Sequence, residues 1–117
     1  DALDRAFVEM WQRRMELEVF GPITQVFQNT HAFFAGRIPQ VQEFGEVSRK
    51  KALTRLAWLD GEHASRELVA GPGYRIADIT APCGIDFGRV VGIRIDPAWK
   101  NLQRWHETVS GRPSAKA

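Results

Sequence analysis

The stretch Gly73-Tyr74-Arg75-Ile76-Ala77-Asp78-Ile79-Thr80-Ala81 reads as the start of a core helix. Arg75 stands at the cap and Asp78 at the third helical position, where a carboxylate can accept the backbone N–H of Arg75. Asp78 is therefore the structural capping residue of this reading. Tyr74 and Ile79 occupy the two positions of a hydrophobic staple. Pro82 follows closely, and a kink is expected between Asp78 and Gly84, because proline removes one backbone donor and crowds the preceding turn.

Toward the N-terminus, Gly71-Pro72-Gly73 forces a turn, and Glu62 to Leu68 has room for one or two short helical turns. Before them lies a long helix, roughly Gln40 to Asp60, marked by Val41, Phe44, Val47, Ala52, Leu53, Leu56, Ala57 and Leu59 and stopped at Gly61. The first helix carries Leu3, Phe7, Met10 and Leu17, with Trp11, Met15 and Val19 beside them, at three- and four-residue steps. Gly21-Pro22 should bend it before it continues through Val26 and Phe27 to end near Phe34.

Toward the C-terminus, Asp96-Pro97 reads as an acidic cap followed by proline at the first helical position. Ala98, Leu102, Trp105 and Val109 share one face of that last helix, which Gly111 terminates ahead of an Arg112-Pro113-Ser114 tail. Val91 to Ile95 comes nearest to strand-like alternation, and its Gly and Arg residues weaken that pattern. The fold class is all-α, a helical bundle with a long kinked first helix. A core uniting Leu56, Ile76, Ile79, Leu102 and Trp105 is expected.

The 117 residues, 44% of them hydrophobic, suit one compact domain. Sixteen basic against 14 acidic residues leave a formal charge of +2, too small an excess for a nucleic-acid binder. The most apolar stretch, Ile76 to Ile95, is broken by Asp78, Asp86, Arg89 and Arg94, so no membrane span is expected. Cys83 has no partner for an internal disulfide, which points to a reducing, cytoplasmic compartment. The acidic, amphipathic opening at Asp1, without an initiator Met, suggests a chain cut from something longer.

Together the segments resemble the C-terminal domain of bacterial cytosolic glutathione transferases. GYRIADITA (Gly73 to Ala81) is similar to that family's capping box, VEMWQRRMELEVFGPI (Val8 to Ile23) to the first helix of its C-terminal domain, and NLQRWHETVSGRPSAKA (Asn101 to Ala117) to its last conserved segment. The family's box normally has Ser or Thr where Arg75 stands, so Asp78 retains one half of it. Pro82 is also foreign to that core helix.

The resemblance implies one domain over residues 1–117, without the N-terminal thioredoxin-like domain that binds glutathione and carries the catalytic Tyr, Ser or Cys. No catalytic residue is expected in this chain. The helical domain supplies a wall of the pocket for a hydrophobic electrophile, which falls here on Phe20, Gly21 and Thr24. Phe20 is either an apolar face for that substrate or a packed aromatic, and Thr24 offers a hydroxyl for orientation. Arg13 and Arg14 could reach a glutathione carboxylate or a partner subunit, or be solvated surface charges. Glutathione enters as co-substrate, no further cofactor is implied, and a homodimer is expected.

Other chemistry finds little support. His31, His63 and His106 lie outside metal-ligand spacings. Cys83 reads as a buried structural thiol, Arg49-Lys50-Lys51 as a solvated face, and Glu43 and Glu46 as surface charges. The leading expectation is a transferase that conjugates glutathione or exchanges thiols when intact, this part alone being inactive. The other is a non-catalytic interaction module like the transferase-like parts of translation factors and tRNA synthetases. The fold alone does not separate them.

Overall fold

A computed structural model describes residues 1–64, 66, 68–69 and 74–113. Its order is α1 (Ala2–Arg14), a π-helical stretch (Met15–Phe20), α2 (Gly21–Thr30), a short 3-10 turn (Ala32–Phe34), α3 (Gln42–Glu62), α4 (Ala77–Phe87), a second 3-10 turn (Gly88–Val91) and α5 (Lys100–Ser110). The described residues are all-α and carry no strand ladder. The segment at Val91 to Ile95 leaves the 3-10 turn as irregular chain.

The expected irregularity of the first helix lies just upstream of Pro22. Gly21 N–H donates to the carbonyl of Glu16, five residues back, so the helix widens into a π turn before the proline. This accommodates a residue that has no N–H to return to the preceding turn. A Cβ at position 21 would stand 3.2 Å from that same Glu16 oxygen, which gives the glycine its place. The helix then stops at Thr30, earlier than Phe34, and His31 turns into extended backbone.

The return from α2 to α3 is tied by side chains. Gln40 Nε2 donates to the carbonyls of Gln28 and His31, at 3.0 and 2.9 Å, and Val41 N–H donates to Asn29 Oδ1 at 3.0 Å. At Gly45 a Cβ would fall 2.5 Å from Thr30 Cγ2, so the two helices approach closely through this glycine.

The core is built from Trp11, Met15, Val19, Ile23 and Val26 of the first helix, Ala52, Leu56 and Leu59 of α3, Ala77, Ala81 and Ile85 of α4, and Leu102, Trp105 and Val109 of α5. Two apolar stripes are therefore divided between inside and outside. Leu3, Phe7, Met10 and Leu17 are exposed on the first helix, as are Val41, Phe44, Val47 and Leu53 on or beside α3. Each long helix carries more apolar surface than one bundle contact can cover.

The same division corrects the expected core. Leu56, Leu102 and Trp105 are buried, but Ile76 and Ile79 are 53% and 49% exposed. Helix α4 turns its small residues Ala77 and Ala81 inward instead, which lets it lie close to its neighbours. Cys83 is likewise exposed rather than buried, because it lies on the outer side of α4. That helix runs on through Pro82 to Phe87.

Two boundaries also move. Asp96 Oδ1 accepts Ala98 N–H at 2.8 Å and its carbonyl accepts Trp99 N–H at 2.9 Å, so Asp96-Pro97 makes a turn and α5 begins only at Lys100. The cap of α5 comes from α3, where Asp60 Oδ1 accepts Leu102 N–H at 2.8 Å. Helix α3 ends at Glu62, so the extra turns expected before Leu68 do not continue it. The turn expected at Gly71-Pro72-Gly73 lies outside the described residues.

Candidate functional site

Asp78 is completely buried, and its carboxylate ties three parts of the chain together. Oδ2 accepts Arg75 N–H at 3.1 Å, the bond read from the sequence, while Oδ1 accepts Val69 N–H at 2.8 Å and the Trp105 indole Nε1–H at 3.0 Å. Charge-assisted bonds of this kind offset the desolvation of a buried carboxylate. On the outside, Arg75 Nη1 meets Asp4 Oδ2 at 3.0 Å, joining the start of α4 to the start of α1. Asp78 also lines a concavity of about 350 Å³ with Tyr74, Ile79, Pro82, Cys83 and Asp86, while the three bonds its carboxylate accepts hold the scaffold.

Phe20 and Thr24 lie one turn apart at the junction of the π stretch and α2. The Phe20 ring packs on Gly84 of α4, where a Cβ would stand 3.0 Å from Phe20 Cδ2, and stacks on Phe87 with centroids 6.1 Å apart. Phe20 is packed on α4 and keeps a partly exposed side. Thr24 Oγ1 donates to the Phe20 carbonyl at 3.0 Å. With its proton engaged there, the hydroxyl presents acceptor lone pairs to a ligand.

The two arginines are placed differently. Arg13 is held on its own helix by Glu9 at 3.0 Å and Glu16 at 2.8 Å, with most of its side chain in solvent. Arg14 lies over the Trp11 ring at 5.0 Å and the Trp58 ring at 5.9 Å. Among the described residues no hydrogen bond, ion pair or ring contact joins either arginine to Phe20 or Thr24.

An aromatic surface continues from Phe20. Phe27 meets Phe87 edge to face at 5.0 Å, Phe34 at 4.9 Å and the His31 ring at 4.8 Å, with Phe33 stacked beyond at 6.4 Å. The Phe-x5-Phe-Phe spacing of Phe27, Phe33 and Phe34 was the available signal for this wall. Phe87, distant in sequence, gave none.

His63 also went unread. Its imidazole is buried and stacks on Trp105 with centroids 5.0 Å apart. Nδ1 faces the Arg66 carbonyl at 3.3 Å, and since a carbonyl only accepts, Nδ1 carries the proton. Nε2 is buried and has no partner among the described residues. Burial is the main cause that pushes the His63 pKa below the ordinary 6.5; Arg66 and Arg104 add to it, while the Arg66 carbonyl and Asp78 oppose it. Among the described residues no group of His, Cys, Asp and Glu is gathered for a metal ion, and no helix is long and apolar enough to cross a membrane.

The sequence model for "Glutathione S-transferase, C-terminal domain" matches residues 12–113, nearly the whole of this bundle. The chain belongs to that family. It is 30% identical to Glutathione S-transferase 2 of Saccharomyces cerevisiae over 97% of its own length and 50% of the yeast protein. Its backbone is similar to the crystal structure of Gtt2 from Saccharomyces cerevisiae with a TM-score of 0.93 and 28% identity, covering 99% of this chain and 57% of that one. A class Gtt2 glutathione S-transferase of Vibrio parahaemolyticus gives a TM-score of 0.86 and 30% identity, covering 100% and 55%. The chain thus spans about half the length of the transferases it matches. Within this domain Asp78 belongs to the frame, and Phe20, Thr24 and the aromatic residues beside them lie together on one side of the bundle.

Proposed function

We propose that this chain is the helical half of a cytoplasmic glutathione transferase, and that it supplies a wall of the electrophile pocket while an N-terminal thioredoxin-like domain supplies the glutathione site and the catalytic residue. The observation that carries this reading is the family match over residues 12–113, with backbone similarity to transferases of which this chain covers about half. Phe20 offers the electrophile an apolar face, its ring backed by Gly84 and Phe87. Thr24 accepts a hydrogen bond from the bound substrate. Arg13 and Arg14 serve glutathione or the partner subunit, with Arg14 preorganised by two tryptophan rings.

The same reading makes the protein a homodimer. A groove between the first helix and α3, lined by Leu17, Pro22, Val47, Lys50, Arg55 and Trp58, exposes apolar surface of the kind that associating proteins cover. Mixed basic and acidic groups at its edge, Lys50 and Lys51 against Glu18, suit a self-complementary contact.

Conjugation of glutathione to a dinitrophenyl halide tests the proposal. The full-length protein should be active and the 117-residue chain inactive. In the full-length protein, Phe20→Ala should raise KM for the halide several-fold and leave KM for glutathione within about twofold. An unchanged KM for the halide, with activity otherwise intact, removes Phe20 from the pocket.

A further inference from the structure

A second concavity lies away from Phe20 and Thr24, between the C-terminal end of α4, the second 3-10 turn and α5. It measures about 320 Å³. Its floor is apolar, with Ile85 and Ile93 buried and Ile95 half-buried. Its rim carries Arg89 and Arg94, with Gln103, His106 and Glu107 opposite.

The charges at the rim are unevenly paired. Among the described residues, the carboxylate partners of Arg13, Arg49, Arg55, Arg66 and Arg75 are all in place, but neither Arg89 nor Arg94 makes an ion pair. Asp86 is already engaged by His106 Nε2 at 2.6 Å. The lining of the cleft itself carries two guanidinium groups against the single carboxylate of Glu107.

The wall that bears these arginines is fixed. Arg49 of α3 donates to the Val91 carbonyl, and Ile93 N–H returns to the Gly88 carbonyl at 2.9 Å. Gly92 between them takes φ +79°, which turns the chain sharply enough to bring Ile93 and Arg94 over the end of α4. A rigid rim loses little freedom when a ligand binds.

We propose that this cleft binds a small organic anion, a carboxylate carried on a single ring or a short acyl chain. Arg89 and Arg94 hold the carboxylate, and Ile85, Ile93 and Ile95 receive the apolar body. The volume sits at the low end of ligand pockets, about 300–1,000 Å³, and suits a small occupant. Two neighbouring guanidinium groups without carboxylate partners suit one carboxylate. A forked guanidinium holds such a group better than it holds a neutral amide. This site does not depend on the glutathione reading.

The test is titration of the isotopically labelled 117-residue chain with sodium benzoate, followed by nuclear magnetic resonance, with benzamide and acetate as comparisons. Benzoate should saturably shift the methyls of Ile85, Ile93 and Ile95. Benzamide, lacking the charge, and acetate, lacking the ring, should each bind about tenfold more weakly. Arg89→Gln and Arg94→Gln should each weaken benzoate by about the same factor while thermal melts match the parent. Both side chains are exposed, so neither change threatens the fold. Equal binding of benzoate and benzamide, unaltered affinity in both arginine variants, or shifts centred on Phe20 and Phe27 would each overturn the proposal.

Discussion

The indole Nε1–H of Trp105 on α5 donates to Oδ1 of Asp78 at the start of α4, at 3.0 Å and out of contact with water. The carboxylate that caps one helix therefore also anchors another, and it gathers the Val69 N–H on the way. A helix cap alone is worth about 1 kcal/mol. Asp78→Ala leaves buried N–H groups unpaired and should cost about 3 kcal/mol or more in urea melts. Trp105→Phe should cost less, and the double variant should show a coupling of about 1 kcal/mol. Strict additivity of the two changes would mean that the bond contributes nothing.

Stability should fall in mild acid because of His63. Its buried ring binds a proton less readily in the folded chain than in the unfolded one, since burial sets its pKa below 6.5. Between those two values the unfolded state holds more protons, so stability rises with pH. This contribution is complete above about pH 6.5 and is lost as the pH drops below it, by at most about 1.4 kcal/mol per pH unit. Urea melts from pH 5 to pH 7.5 measure the slope. His63→Phe, which keeps a ring against Trp105, should flatten it; an equal slope in parent and variant would assign the dependence to other groups.

Gly84 and Phe20 should behave as a coupled pair. A methyl group at position 84 meets ring atoms Cδ2 and Cγ of Phe20 at 3.0 and 3.2 Å and its Cβ at 3.2 Å, closer than carbon atoms settle. Gly84→Ala should destabilise by about 1–3 kcal/mol through overpacking. In a Phe20→Ala background the same change should be nearly neutral, or favourable through better helix propensity. An undiminished cost without the Phe20 ring would place the clash at the Cβ of residue 20, which alanine keeps, and not at the ring.

The exposed face of the first two long helices should carry the dimer contact. Leu17 and Val47 are 67% and 52% exposed and line the groove between those helices. Leu17→Glu with Val47→Glu should leave the melting temperature within a few degrees and abolish concentration-dependent sedimentation. A parent chain that stays monomeric across the same concentration series would remove this interface.

Much of the bundle was legible because its signals are local. The four-residue spacing of Trp11, Met15 and Val19, the Gly-Pro interruption at Gly21-Pro22 and the three-residue step from Arg75 to Asp78 each act within one or two turns of chain. Helix periodicity also shows which residues share a face, but not which of two apolar faces a neighbour will cover. Ile76 and Ile79 therefore read as core and stand outside, as do Leu3 and Leu17 of the first apolar stripe, while Ala77 and Ala81 take the interior.

The tertiary structure alone decided what depends on groups far apart in the chain. Asp60 caps α5 from α3, so that helix starts at Lys100 although Asp96-Pro97 reads as its natural beginning. Phe20 acquires its backing from Gly84 and Phe87, Cys83 its exposure from the side of α4 it occupies, and His63 its burial from Trp105. Arg89 and Arg94 read simply as interruptions of an apolar stretch until the left-handed turn at Gly92 sets them over an isoleucine floor. Local hydrogen bonding and periodicity are written in adjacent residues. Burial, packing and the pairing of charges are properties of surfaces that come into being only when the helices meet.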